Sequence, residues 1–513
     1  MPNTTHGIVL PHRSGAAAAY PRGAGHAGDQ LWGIVFVGGL LGVLGFRLLA
    51  LHFNATDLFF DEAQYWSWSL EPARGYYSKP PLVAWAIRLA TDSCGVSEFC
   101  VRLPSPVVHT ATAVAIFALA RWLYDLRTAA LAGLAFATLP GVSLSAGIIS
   151  TDVPLLLAWA VALVALVALF DTKAWWPSPL LGLALGLGLN AKYAMAWFLL
   201  CLGVYLVATP ERRGILKDPR LWLALLIGAL LIAPNLAWNA GHSFATFAHT
   251  ADNAKWHGSL LNPLKAIEFF GSQFGVFGPI MFAGLLVVAW RAYRSGLTAS
   301  DRLLLAFSLP VLVVITGQAF VSRAHANWAA VSYVAATVLV TATLVREASW
   351  GWLRTSFAIH LVFLLALAAG TTLAGRVAVP FGSDPFARTL GWREIADATR
   401  AELGRARAEG RPFSSVLTDD RSITAELLYY MRDDPTRVVT WFPGGRPTDH
   451  YELTRPFSPE VAGPVLFVTL GRNTEAVTRA FATVTDLGPR NLPAGKTTRR
   501  RVAFYVLSGY TGK

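Results

Sequence analysis

Long apolar runs broken by short polar stretches fill the first three quarters of the chain. A helix needs roughly 20 apolar residues to cross the hydrocarbon core of a bilayer. Such runs fall near 31–52, 104–124, 128–147, 153–170, 178–190, 194–209, 221–238, 268–290, 303–320, 328–345 and 352–373. The pattern predicts a polytopic α-helical membrane protein of about eleven spans. Past residue 375 the period changes. "SSVLTDD", "RVVTWF", "PVLFVTL" and "RVAFYVLSG" read as strands, and "WREIADATRAELGRARAEG", "SITAELLYYM" and "NTEAVTRAFATV" as helices. Residues 1–30 are small and polar and lack the ordered parts of a signal peptide. The expected domains are a disordered cytoplasmic tail over 1–30, a membrane domain over 31–375 and a small α/β domain over 376–513.

Composition strengthens this reading. The 513 residues are 54% hydrophobic and 14% charged, against about 25% charged in soluble domains. The net charge of +12 is spread through short connections, with no basic stripe interleaved with aromatics, which tells against nucleic acid as a partner. Alternate connections carry Arg121 and Arg127, Lys173, Arg212 to Arg220, Arg291 to Arg302, and Arg346 with Arg354. By the positive-inside rule these face the cytoplasm, so the other connections and the C-terminal domain are expected on the exported side. Cys94 and Cys100 share the first exported loop, where a disulfide and two buried thiols are equally compatible with the sequence; Cys201 reads as packing.

The unusual polar residues gather on that exported side. The loop of about 53–103 holds "FFDEAQYW", with Asp61, Glu62 and Tyr65, and "GYYSKPP", with Tyr77 and Lys79. "EAQYWSWSL" and "PPLVAWAIRLA" have helical periodicity with one apolar side, which predicts short helices lying in the interface; the double proline would open the second of these. Other exported turns supply Asp152, then Asn190, Lys192 and Tyr193, then Asn235, Asn239, His242, His249, Lys255 and His257, and finally Arg323, His325, Asn327 and Trp328. Each has a plain structural alternative. Single cations snorkel to headgroups, Asp152 can cap a helix, aromatic residues anchor at interfaces, and the histidine spacing matches no metal site. Their convergence from several loops onto one membrane face favours a site: cations suit a phosphate, and a carboxylate suits deprotonation of a hydroxyl.

The series "DEAQYWSWS", "GYYSKPPLVAW", "EFCVRLPS", "TDVPLL", "NAKYA", "PNLAWN" and "HANWAA" resembles, in order over about residues 55–345, the bacterial branch of the dolichyl-phosphate-mannose:protein mannosyltransferase superfamily. That superfamily has the GT-C architecture and includes the transferases that add aminoarabinose or galacturonic acid to lipid A or lipopolysaccharide core. The resemblance implies an inner-membrane glycosyltransferase with its site facing the periplasm. It would move a sugar from a polyprenyl-phosphate donor to a lipid A, core or other envelope acceptor, by an inverting displacement. It implies Asp61 and Asp152 as the catalytic carboxylates, and Lys79, Arg323 and Lys192 as ligands of the donor phosphate. Glu62, Tyr65, Tyr77, Asn239, His325 and Asn327 are expected to contact substrate. Ser78 stands where the aminoarabinose enzymes carry a glutamate, a departure that counts against aminoarabinose. No cofactor is certain, no metal ligand is assigned, and a divalent ion is left open. The alternatives are a protein O-glycosyltransferase of the same superfamily, or a lipid-linked sugar flippase. A flippase would place its charges at the midplane on broken helices.

Overall fold

A computed structural model describes residues 26–254, 261–378, 384–458 and 463–512. Lys255, His257 and most of the expected N-terminal tail therefore lie outside the described residues. Among these, six helices are long and apolar enough to cross a membrane: Gly28–His52, Glu98–Leu123, Asp152–Asp171, Pro219–Gly241, Ala299–Val321 and Trp350–Leu373. Helix Asp152–Asp171 is apolar all round and is the centre of the bundle. Trp159 and Leu163 in it are fully buried, as expected of a helix without a polar face.

Several expected spans differ in detail. The run 268–290 is not one helix but two, Pro263–Val276 and Pro279–Ser295, bent by 115°. The cause is local: Gly278 has φ +85°, a side chain there would meet His360 at 2.6 Å, and Pro279 cannot continue the preceding helix. The run 128–147 stops at Thr138, ahead of Pro140, and resumes as the short helix Pro140–Ser145. Pro177–Ala191, Trp197–Ala208 and Ser332–Arg346 are also shorter than a bilayer crossing.

The C-terminal part is built on a five-stranded sheet of β1 (Ser415–Thr418), β2 (Arg437–Thr440), β3 (Val465–Thr469), β4 (Phe481–Pro493) and β5 (Arg499–Tyr510), in the order β2-β1-β3-β5-β4. β1 pairs in parallel with β2 and β3, and β5 runs antiparallel to β3 and β4. Four of these strands fall on the apolar runs read from the sequence. β4 does not: "NTEAVTRAFATV" is helical only over Thr474–Arg479. From Phe481 onward the backbone instead pairs with the long β5, Phe481 opposite Tyr510. A partner remote in sequence overrode local periodicity.

The loop after the first span forms helices Phe60–Leu70 and Leu82–Cys94, the second with Pro81 at its N-cap, and Cys94 is disulfide-bonded to Cys100. Helix Leu82–Cys94 exposes Trp85 and Leu89, as an interfacial helix does. Helix Phe60–Leu70 corrects the expectation of a helix lying in the interface. Its Ala63, Trp66 and Trp68 share one apolar core with Trp392, Ile423, Leu427 and Tyr429 of the C-terminal part. The interdomain contacts include Asp57 Oδ2 accepting from the Trp392 N–H (2.9 Å) and Tyr430 Oη accepting from the Leu58 N–H (2.9 Å). Burial holds the Asp57 carboxyl up at about 6, against the opposing pull of the Trp392 N–H.

A buried ion pair fixes this helix. Glu62 and Arg102 are each 1% exposed. Arg102 donates through Nε (3.0 Å) and Nη2 (2.8 Å) to the Glu62 carboxylate. Its other N–H groups go to the Thr56 carbonyl and hydroxyl (both 3.2 Å) and the Asp57 carbonyl (2.7 Å), so all five donors are used. Glu62 Oε2 also accepts from the Phe59 N–H (2.8 Å), and Oε1 from the Ile149 N–H (2.9 Å). Removing one partner strands a charge in a dry interior, at a cost of about 3–5 kcal/mol. Arg102→Ala should therefore lower the yield and melting temperature of detergent-purified protein sharply, with Glu62→Gln milder. An Arg102→Ala protein of unchanged thermal stability would refute this role for the pair.

Candidate active site

Adjacent helical side chains point about 100° apart. Glu62 turns into the core, so Asp61 turns toward an open face, its side chain 36% exposed. There it meets a residue that sequence reading missed. Arg421, first in helix Arg421–Tyr430 of the C-terminal part, donates Nη1 to Asp61 Oδ1 (2.8 Å) and to Gln64 Oε1 (2.7 Å). Nothing in the sequence around Arg421 marks it, because its role depends on domain docking.

The second carboxylate is held from two further loops. Asp152 opens helix Asp152–Asp171 but caps nothing through its side chain. Oδ1 accepts from Lys192 Nζ (2.7 Å) and Oδ2 from Asn327 Nδ2 (2.7 Å). Lys192 is the C-cap of helix Pro177–Ala191, so each charge also sits at the helix end that favours it.

Lys79 is aimed by a loop with little freedom. A side chain at Gly75 would meet Trp238 at 2.6 Å, so only glycine lets the loop lie against helix Pro219–Gly241. Asn235 Nδ2 donates to the Arg74 carbonyl (2.8 Å), the Thr246 hydroxyl to the Tyr76 carbonyl (2.8 Å), and the Tyr76 N–H to the Lys79 carbonyl (3.1 Å). The Tyr76 ring stacks on Trp68 at 4.6 Å. The ammonium of Lys79 has no hydrogen bond or ion pair among the described residues. Burial, and then the neighbouring Lys192, hold it below the usual lysine range. The half-buried Arg323 is similar: its Nε is buried without a partner among the described residues. Electrostatically the groups form one cluster, since the His325 imidazole is pushed down by burial and then by Arg323, Lys192, Lys79 and Arg388. Beside the two ion pairs, Asp61–Arg421 and Asp152–Lys192, Lys79 and Arg323 have no carboxylate partner among the described residues.

The other expected contacts divide. Tyr65 is buried, and its hydroxyl makes no hydrogen bond among the described residues; burial, followed by Asp61, holds it well above its usual range. His325 lies edge-on to Trp328 at 5.3 Å. Three residues have structural partners instead. Glu62 is consumed by Arg102, which corrects its assignment to substrate. Asn239, fully buried, donates to Tyr193 Oη (3.1 Å) and accepts from the Thr246 N–H (3.2 Å). Tyr77 donates its hydroxyl to the Pro447 carbonyl (2.8 Å), tying the loop to the C-terminal part. His249 is half-buried against Tyr77 at 5.5 Å, and burial, then Lys79, pushes it down to about 4. His242 stacks on Trp238 at 4.1 Å. No group of three His, Cys, Asp or Glu side chains that could hold a metal occurs among the described residues.

Fold and site together define a polytopic membrane protein whose polar chemistry collects between its helical bundle and an α/β domain. Residues 78–238 match the family model of the dolichyl-phosphate-mannose-protein mannosyltransferases. The lipid A galacturonosyltransferase RgtD of Rhizobium johnstonii is 36% identical over 437 residues, 84% of this chain and 91% of that protein. The fold is that of the crystal structure of ArnT from Cupriavidus metallidurans in the apo state (TM-score 0.64, 15% identity, 93% of this chain and 98% of that one). The same protein bound to undecaprenyl phosphate gives a TM-score of 0.62 at 14% identity, over the same shares of the two chains. The chain belongs to the GT-C superfamily of the dolichyl-phosphate-mannose-protein mannosyltransferases and lipid A transferases, and it is a membrane glycosyltransferase.

Arg421 should act by orienting Asp61. Arg421→Ala removes a charge-assisted bond of about 1.5–3 kcal/mol, so kcat for sugar transfer should fall roughly 10–100-fold with donor KM little changed. Arg421→Lys should recover part of the loss. Equal kcat in Arg421→Ala and the parent protein would remove Arg421 from the site.

Proposed function

We propose that this protein transfers a sugar from a polyprenyl-phosphate donor to lipid A on the periplasmic face of a bacterial inner membrane. The observation that carries the reading is that Lys79 and Arg323, beside two oriented carboxylates, have no carboxylate partner among the described residues. An anionic phosphate supplies the missing partner for both cations, and a hydroxyl nucleophile suits Asp61. The activity named for RgtD and the undecaprenyl phosphate held by ArnT support the same acceptor and donor classes. In this reading residues 31–375 are the catalytic membrane domain and 376–513 an exported domain that completes the site through Arg421.

Lys79 and Arg323 would take the donor phosphate, with Lys192 close enough to add to their field. The phosphate is then a stabilised leaving group. Asp61, fixed by Arg421, would receive the proton of the acceptor hydroxyl as its oxygen attacks the anomeric carbon. The bond from that carbon to the phosphate oxygen breaks as the new glycosidic bond forms. The electron pair leaves with polyprenyl phosphate, and the anomeric configuration inverts. Asp152 would hold Lys192 and Asn327 in place, and the Tyr65 hydroxyl and His325 would contact the sugar. Alignment of a donor and an acceptor that both arrive laterally from the bilayer supplies the remainder of the rate.

One assay series tests these roles. Lys79→Ala should weaken polyprenyl-phosphate binding by about 1.5–3 kcal/mol, with Lys79→Arg intermediate. Asp61→Asn should keep donor binding and lose roughly 10²–10⁴-fold in turnover. Unchanged donor affinity in Lys79→Ala, or near-normal transfer by Asp61→Asn, would sink the corresponding assignment. The orientation rests on the Lys and Arg distribution. A tag after Gly296 should be labelled only from the cytoplasm, and one after Gly512 only from the periplasm. The reverse labelling would overturn the sidedness.

A further inference from the structure

A cavity of 390 Å³ opens between helices Gly28–His52 and Trp350–Leu373, and none of the residues placed at the donor site lines it. Helix Gly28–His52 contributes Arg47 and Ala50 to its lining, and helix Trp350–Leu373 contributes Ala368 and Thr371; Phe59 and Arg388 line it too. The surrounding helices expose Leu49, Phe53, Leu365 and Leu373, so the cavity adjoins the lipid-facing surface of the bundle.

Arg47 is the anomaly. It is 5% exposed, and Nη2 donates to the Ala137 carbonyl at the end of helix Leu126–Thr138. Its Nε and Nη1 are buried with no partner among the described residues. A guanidinium in a membrane domain is costly, and two of its donor nitrogens left unpaired make it more so. Arg388 has no carboxylate partner among the described residues; its guanidinium lies over the rings of Phe59 (4.7 Å) and Phe60 (5.5 Å), next in sequence to Asp61.

Resting on the lipid-acceptor reading above, we propose that this cavity is the docking site for one acyl chain of a phosphorylated, acylated glycolipid acceptor. Arg47 donates to the chain's ester or amide carbonyl, and Arg388 holds a headgroup phosphate. The chemistry separates this occupant from the donor's tail. A polyprenyl chain carries no hydrogen-bond acceptor and leaves Arg47 unsatisfied, whereas an acyl linkage supplies a carbonyl oxygen. The donor phosphate already has its own cations in Lys79 and Arg323. Occupancy would bring the acceptor headgroup past Phe60 toward Asp61.

The test uses the full chain in lipid nanodiscs, with diphosphorylated lipid A and undecaprenyl phosphate as separate probes, each measured by native mass spectrometry. Ala368→Phe fills the cavity and Arg47→Gln removes its charge. Ala50→Phe closes it from the facing helix should Ala368→Phe fail to fold. Retention of lipid A should fall roughly tenfold in the filling variants and several-fold in Arg47→Gln, with undecaprenyl phosphate retained as in the parent protein. Lipid A retention that is unaffected by filling overturns the proposal. So does loss of undecaprenyl phosphate on filling, which would give the cavity to the donor tail. A parent protein that binds lipid A through this cavity but transfers no sugar would leave the cavity standing and remove the transfer reading. Transfer insensitive to filling would do the opposite.

Discussion

The fully satisfied pair of Glu62 and Arg102 is the constraint on which the rest of the site depends. Burying two charges is worthwhile only where every donor and acceptor is matched. Here the matching draws in the loop at Thr56 and Asp57, the start of helix Phe60–Leu70, and the backbone of Ile149. With Glu62 locked inward, Asp61 can only point outward. With Ile149 held, the turn leading to Asp152 is held too. One interaction therefore places both carboxylates, although it touches no substrate in the reading advanced here. The adjacent acids at 61 and 62 do different work because a helix separates their directions.

Around that anchor, charge is distributed unequally. Asp61 and Asp152 each have a cation, and the cations left over are the ones a phosphate would need. Because Lys79 is desolvated and repelled by Lys192, an arriving anion relieves two unfavourable terms at once. The neutral polar groups nearby are spent in a different way. Asn235, Asn239, Tyr193 and Thr246 form a network that holds the Lys79 loop against helix Pro219–Gly241. In the proposed reading, selectivity for phosphate thus rests on charge, and the position of Lys79 on neutral hydrogen bonds.

In the proposed reading the C-terminal domain is part of the catalytic architecture rather than an appendage. It shares a core with helix Phe60–Leu70, donates the Trp392 N–H to Asp57 of the first loop, and contributes Arg421. A first-loop helix that looks amphipathic, and so suited to a membrane surface, in fact spends its apolar face on this domain.

Much was legible in the sequence because local rules govern it. Apolar runs set by bilayer thickness located the helices, and period-two patterns located four of five strands. The motifs around Asp61, Lys79, Asp152 and Lys192 identified the family, since each is a short stretch with its polar residue at a fixed offset. The sequence failed where the partner is remote. It could not separate Asp61 from Glu62 in depth, because burial belongs to the packed helix. It read Asn239 and Tyr77 as substrate contacts, because hydrogen bonds to Tyr193 and Pro447 span 46 and 370 positions. It passed over Arg421, which meets Asp61 across 360 residues, and the strand from Phe481, which exists only because β5 pairs with it. Periodicity and motifs are properties of neighbours along the chain. Which charge is left without a partner is decided only when distant segments meet.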